Sequence, residues 1–204
     1  MSHAAVSVEP LERRDSARAV EVLTSALWDI PSMRFAFEGL ADEAVQRRFA
    51  RGLSSSTAAA LAWGRVLCAR VDGEVRGAAI AYPPGTWPLP FLRWLRSGLG
   101  FLTIGPRPFA RLARYDAILN RHHPKEPHWY LYFLGVAPGW QGRGLGGALV
   151  RELARLAAAD GVPLCLETDK ESNVGFYRAN GCEITSERRL AEVGGITLWS
   201  LRRG

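Results

Sequence analysis

Hydrophobic positions recur with two different periods along this chain, and the periods mark out its elements. Val6 and Val8 alternate with polar neighbours and predict a short first strand ahead of Pro10. Ala19, Val20, Val22, Leu23 and Leu27 share one face of a helix that Asp15 or Ser16 can cap. A second helix is expected from about Glu43 to Leu61. Two β-rich runs, Arg65 to Arg70 and Glu74 to Tyr82, flank Val71-Asp72-Gly73, whose Asp-Gly pair is a strong hairpin signal. Between Pro83 and Pro108 six prolines interleave with Trp87, Phe91, Trp94 and Phe101, a pattern no regular helix fits. These aromatics either fill space over a core or line a substrate cleft. Arg111 to Arg121 is a better helix, with Leu112, Tyr115, Ile118 and Leu119 on one side.

The second half is easier to read. Trp129 to Val136 (WYLYFLGV) is apolar on both alternating faces, as suits a central strand covered on both sides. Ala137 to Gly144 is a loop. A helix follows from Gly144 to Asp160, its buried stripe made by Leu145, Leu149, Leu153 and Leu156, with Gly161 at a left-handed C-cap position. Val162 to Thr168 predicts another buried strand and Asn173 to Asn180 a short helix closed by Gly181. Glu183 to Arg189 and Ile196 to Arg202 are the closing strands. Repeats, low-complexity tracts and linkers are absent, so residues 1–204 read as one domain.

Gln141-Gly142-Arg143-Gly144-Leu145-Gly146-Gly147, between a buried strand and an amphipathic helix, carries the chemistry. Glycines let backbone N–H groups approach an anion closely. The helix N-terminus behind them adds free donors and about half a positive charge. The combination suits a phosphate or pyrophosphate. Gly142, Gly144 and Gly147 also satisfy GxGxxG, with Glu167 ending the next strand 20 residues later. A dinucleotide fold is nevertheless disfavoured: Ala137 to Gln141 separate the strand from the first glycine. Only 36 residues follow Thr168, too few for further βα units. No Gly-Lys-Ser/Thr is present, so a Walker loop is excluded.

Composition narrows the picture only modestly. Hydrophobic residues make up 48% and charged residues 23%, a globular balance. The net charge is +6, carried almost wholly by arginine, since Lys125 and Lys170 are the only lysines. The arginines are scattered and form no basic stripe with interleaved aromatics, so nucleic acid is not an expected partner. Three cysteines, Cys68, Cys165 and Cys182, have neither disulfide parity nor metal spacing, and no His–carboxylate pattern suggests a metal. The first twenty residues lack a signal-peptide core. The apolar stretch Phe91–Phe109 is interrupted by Arg93, Arg96 and Arg107 and cannot span a bilayer. A soluble, cytoplasmic protein without membrane contact is expected.

The motif Gln141-x-x-Gly144-x-Gly146, preceded by Leu134-Gly135-Val136-x-Pro138, resembles the acyl-CoA-binding motif of the GNAT N-acetyltransferase superfamily. Leu166-Glu167-Thr168, Asn173-x-x-Phe176-Tyr177 and Gly181 extend the resemblance, while Asn180-Gly181-Cys182 departs from the usual Gly-Phe pair. Pro124-Lys125-Glu126-Pro127-x-Trp129, Gly161-Val162-Pro163 and Thr197-x-Trp199 look, more narrowly, like the puromycin N-acetyltransferase group. The match is strong over residues 122–204 and loose before.

The resemblance implies an α/β (α+β) fold with a mixed, mostly antiparallel sheet flanked by helices and split at the strand ending at Val136. It implies acetyl-CoA as acyl donor and a primary amine of a small molecule as acceptor, joined by direct attack. The backbone of Leu134, Gly135 and Val136 would hold the pantetheine arm and stabilise the oxyanion. The amides of Gln141, Gly142, Arg143, Gly144, Leu145 and Gly146 would take the pyrophosphate, with Arg143 adding charge. Asn173 would touch the cofactor from the other side, and Tyr177 would protonate the leaving thiolate.

A base must also free the amine. Glu167 is the best single choice among Glu126, Glu167, Asp169, Asp116, His122, His123 and His128; His122 and His123 read as solvated. Cys165 or Cys182 could serve a ping-pong route, which direct transfer does not need. The alternatives are a protein or peptide acetyltransferase and a non-catalytic acyl-CoA sensor.

Overall fold

The computed structural model describes residues 6–90 and 103–204. Phe91, Trp94 and Phe101, expected either to cover the core or to line a cleft, lie outside the described residues. The strands are β1 (Val6–Pro10), β2 (Arg65–Val71), β3 (Glu74–Tyr82), β4 (Trp129–Val136), β5 (Leu164–Thr168), β6 (Glu183–Leu190) and β7 (Ile196–Arg203). The helices among the described residues are α1 (Ser16–Leu27), α2 (Pro31–Ala36), α3 (Asp42–Trp63), α4 (Pro106–His122), α5 (Leu145–Ala159) and α6 (Glu171–Ala179).

The strands form a single sheet in the order β1-β2-β3-β4-β5-β7-β6. Every pairing is antiparallel except β4 with β5. That one parallel contact follows from α5, the crossover helix that returns the chain to the same end of the sheet. Period-two alternation divides β2 and β3 between two cores, and a third cluster among the described residues joins Tyr115 and Ile118 of α4 to Leu190, Val193, Ile196 and Leu198. Val66, Cys68, Ala78, Ile80 and Tyr82 face α1, α2 and α3, where Leu23, Phe37 and Leu53 complete a dry layer. Leu67, Ala69, Ala79 and Ala81 face α5, meeting Leu145, Leu149 and Leu153. Gly135 is needed for the first of these layers: a Cβ there would stand 2.8 Å from that of Ala26 on α1.

The departures from expectation have local causes. The helix expected over Arg111–Arg121 starts five residues earlier, at Pro106. Its prolines stand in the first turn, where a missing N–H is harmless and the ring pre-sets φ. A short α2 was not anticipated; it too starts on a proline, and its Ser32 amide is capped from far along the chain by the Asp169 carboxylate at 2.7 Å. β5 begins at Leu164 rather than Val162, because the Val162 N–H turns back to the Ala157 carbonyl and closes α5. α6 begins at Glu171, two residues before the expected start. Asn180, in the departing Asn-Gly-Cys triplet, donates to the Phe176 carbonyl at 2.8 Å, and its own carbonyl accepts from Arg203 at 2.7 Å. No helix among the described residues is long and apolar enough to cross a membrane.

Candidate active site

The site begins with a defect in β4. Ile80 pairs with Phe133 and Ala81 with Leu131, so Tyr132 is an extra residue in the strand. Tyr132 and Phe133 consequently both pack toward the α1–α3 layer, their ring centroids 4.2 Å apart. Beyond this bulge β4 leaves β5. Their parallel ladder covers only Trp129–Leu131 against Leu164–Leu166, while β5 continues to Thr168 against β7. Among the described residues the β5-side edge of β4 from Leu134 through Gly135 to Val136 therefore lacks a strand partner, and such an edge suits an extended ligand.

The glycine loop lies just past that edge. Gln141, Gly142, Arg143 and Gly144 are exposed, whereas Leu145 and Gly146 are buried where α5 begins. Gly142 and Gly144 adopt φ of +73° and +83°, a region that strains any residue with a Cβ. Gly144 is the N-cap of α5, and no side chain among the described residues caps the helix, so its first-turn donors stay available. Gly146 serves a different end than the sequence suggests: a Cβ there would lie 3.0 Å from Phe176 Cζ, so its smallness lets α6 close on α5. Arg143 stacks on Trp140 at 4.7 Å. Arg76, from β3, stacks on Trp140 at 4.6 Å and keeps a buried Nε with no hydrogen-bond partner among the described residues. Sequence reasoning missed Arg76; no local motif marks it, and only the sheet brings it to the loop.

On the α1–α3 side of the gap lies a cavity of about 420 Å³. Phe37, Phe49, Leu53, Trp87, Phe109 and Leu112 contribute its apolar wall. Leu134, Glu167, Asn173 and Tyr177 open onto it together, although 43 residues separate the first from the last. Asp116 and Asp169 line it too, and no Lys, Arg or His does so among the described residues. Trp87 therefore does both things the sequence left open: it bounds the cavity and packs on Tyr130 and Tyr132, with centroids 5.4 and 4.6 Å away.

The carboxylates differ in freedom. Asp169 is tied to the Ser32 amide and serves α2, with burial pushing its pKa up. Asp116, on α4, has its pKa pushed up to about 7 by burial. The Glu167 side chain is 6% exposed; its Oε1 stands 3.7 Å from His123 Nδ1 and its buried Oε2 has no hydrogen-bond partner among the described residues.

His123 is not solvated as expected, for its side chain is 8% exposed. Pro124 forces the residue before it out of helical geometry, to ψ 137°, and the ring turns inward. His122, still helical, is exposed as expected. Asn173 sits in the first turn of α6 and not at its N-cap, which is Lys170; its Nδ2 donates to Thr168 Oγ1 at 3.3 Å. Tyr177 is buried at the cavity's edge, and desolvation raises its pKa well above the usual phenol value, so it carries its proton at neutral pH. Burial pushes Cys165 up to about 11 and raises Cys182, so both remain thiols, poor candidates for a covalent nucleophile.

Comparison with known proteins identifies the family of the chain. The model of the acetyltransferase (GNAT) family fits residues 26–182. N-alpha-acetyltransferase RimI of Mycobacterium tuberculosis is 31% identical over 139 residues, covering 67% of this chain and 84% of that protein. Among solved structures, a histone acetyltransferase HPA2-related protein of Corynebacterium glutamicum superposes with a TM-score of 0.67 at 20% identity, covering 97% of this chain and 96% of that one. An agmatine N-acetyltransferase superposes at 0.61 and 16% identity, covering 97% of this chain and 100% of that one. At such identities these two likenesses speak for the fold alone.

Proposed function

This chain belongs to the acetyltransferase (GNAT) family and is an acetyl-CoA-dependent N-acetyltransferase; from that premise we propose that its acceptor is a primary amine of a small, apolar molecule bearing positive charge. The cavity carries this reading. Its volume of about 420 Å³ suits a drug-sized molecule, its wall is largely aromatic and aliphatic, and its ionisable lining is acidic. Three carboxylates without a cationic side chain among the described residues favour an ammonium and oppose an acceptor bearing its own carboxylate. An antibiotic amine of the puromycin type fits that description. We place the reaction in the cytoplasm, where the unpaired thiols Cys68, Cys165 and Cys182 stay reduced.

The residues present suit acetyl-CoA. The left-handed turns at Gly142 and Gly144 and the uncapped start of α5 form a cradle for a diphosphate, with Arg143 and Arg76 as flanking charge. The free edge of β4 at Leu134, Gly135 and Val136 would bind the pantetheine arm as an added strand, and Asn173 would close on it from α6. Bound acetyl-CoA supplies an acyl group activated as a thioester. Glu167 takes the proton that keeps the acceptor amine from attacking, and Tyr177 holds a proton for the departing sulfur. Attack is direct, since no cysteine is poised as a thiolate.

A second reading, acetylation of a protein's N-terminal α-amine, is favoured by the relative RimI. One assay separates the two. Thiol release from acetyl-CoA is followed with apolar amines, a diamine, puromycin, an amino acid and an N-terminal peptide as acceptors. Turnover is expected with the apolar cationic amines. Turnover with the peptide alone refutes the small-molecule reading.

A further inference from the structure

Two imidazoles join the buried carboxylate of Glu167 to the protein's exterior. His123 Nδ1 is 3.7 Å from Glu167 Oε1, His123 Nε2 is 2.9 Å from His128 Nε2, and His128 Nδ1 is 2.6 Å from the Glu126 carbonyl oxygen. The outer end sets the order of protons along this string. A carbonyl only accepts, so His128 Nδ1 carries the hydrogen. A neutral His128 then has a bare Nε2, which must accept from His123 Nε2–H. A neutral His123, in turn, shows a bare Nδ1 to Glu167. Bare nitrogen and ionised carboxylate are both acceptors, so the inner contact is complete only with one more proton, on either partner.

We propose that this inner contact receives the proton lost by the acceptor's ammonium, and that His123 and His128 carry it out to solvent. The proposal rests on the amine-acetylation reading above. The balance is simple. An ammonium N–H bond breaks and an O–H bond forms on Glu167; that proton passes to His123 Nδ1. His123 Nε2–H passes to His128 Nε2, and His128 Nδ1 releases its hydrogen to water. One proton leaves the acceptor and one enters solvent, with nothing oxidised, and each ring regains its starting tautomer by proton exchange with water, one hydrogen taken up at the bare nitrogen and one released from the other.

The surroundings suit this traffic. Glu167 faces the cavity, while both side chains of the inner contact are more than nine-tenths buried and shielded from bulk water. The Tyr130 ring meets His123 edge-on at 4.6 Å, and its hydroxyl lies against Glu167. Asp116 from α4 and Cys165 from β5 complete the inner surroundings. At the outer end Arg202 of β7 engages Glu126 at 3.8 Å. Burial and the neighbouring His123 lower the pKa of His128, which favours release of a proton once it arrives. His123 and His128 are positioning and relay residues; neither lines the cavity.

The test has two arms on the full chain. Nitrogen-15 NMR of the imidazoles reads the tautomers directly, without turnover: hydrogen on His128 Nδ1 and His123 Nε2 is expected, and the opposite assignment overturns the proposal. In the kinetic arm, His128→Asn and His123→Asn should each lower kcat at least tenfold and enlarge the solvent isotope effect. KM for acetyl-CoA should stay within twofold and melting temperature near wild type. Imidazole in the buffer should restore part of the kcat of His128→Gly. A kcat within twofold of wild type for His128→Asn from pH 6 to 9 overturns the relay. Absence of wild-type turnover with every amine, beside the expected tautomers, overturns instead the acceptor reading on which the relay depends.

Discussion

Replacing Asp116 by asparagine should make the protein more stable, and increasingly so as the pH rises. Asp116 stands on α4 in the cavity wall, close enough to Tyr115, Tyr130 and Tyr132 to influence their ionisation. Burial lifts its pKa from 3.8 to about 7. In the unfolded chain it ionises at the ordinary value, so between these limits the native state holds a proton that the unfolded state has lost. Stability therefore falls as pH rises through that window. The window is about three pH units wide, and at about 1.36 kcal/mol each the loss is about 4 kcal/mol. That is an upper bound, because the residue is only partly buried. Asp116→Asn keeps the shape and cannot ionise. Urea unfolding of both proteins should show a small difference at pH 4.5 and one of up to about 4 kcal/mol in the variant's favour at pH 8. The neighbouring tyrosines, with pKa values raised by burial, stay protonated in both proteins over this range. A difference that does not change with pH refutes the argument that the cavity holds this carboxyl against ionisation. A cationic acceptor that fills the cavity should relieve the same penalty, raising wild-type stability at pH 8 more than that of the variant.

Two further substitutions probe the cofactor side. Gly144→Ala places a side chain at φ +83° and should cost about 1–2 kcal/mol in unfolding free energy while weakening acetyl-CoA binding by calorimetry; unchanged binding would remove the loop from the cofactor site. Tyr177→Phe should lower kcat at least tenfold, about 1.4 kcal/mol of transition-state stabilisation, with KM for acetyl-CoA nearly unchanged. An undiminished kcat would make Tyr177 a packing residue only.

Signals confined to a few neighbouring residues were legible. The Asp72-Gly73 hairpin, the stripe of Leu145, Leu149 and Leu153, and the left-handed position at Gly161 follow from short-range sterics and periodicity, and the structure has them where the chain implies, whereas Leu156, expected in the same stripe, is only partly buried. Contacts across long sequence distances were not. WYLYFLGV is apolar at every position, so it holds no parity for a bulge at Tyr132 to break; the bulge emerges only from pairing with β3. Asp169 resembles a free acid until α2 arrives to be capped, 137 residues away. His123 resembles a surface residue until Pro124 turns it toward Glu167 on a different element.

By itself, then, the chain settled its local conformations and the glycine-rich turn that opens the helix, because dihedral preference and helix-end donors need only adjacent residues. Tertiary structure decided where β4 parts from β5, which carboxylates share the cavity, and which histidines reach Glu167. Those depend on side chains from separate elements being brought within a few ångströms of one another, and such meetings exist only once the sheet has closed around its cores.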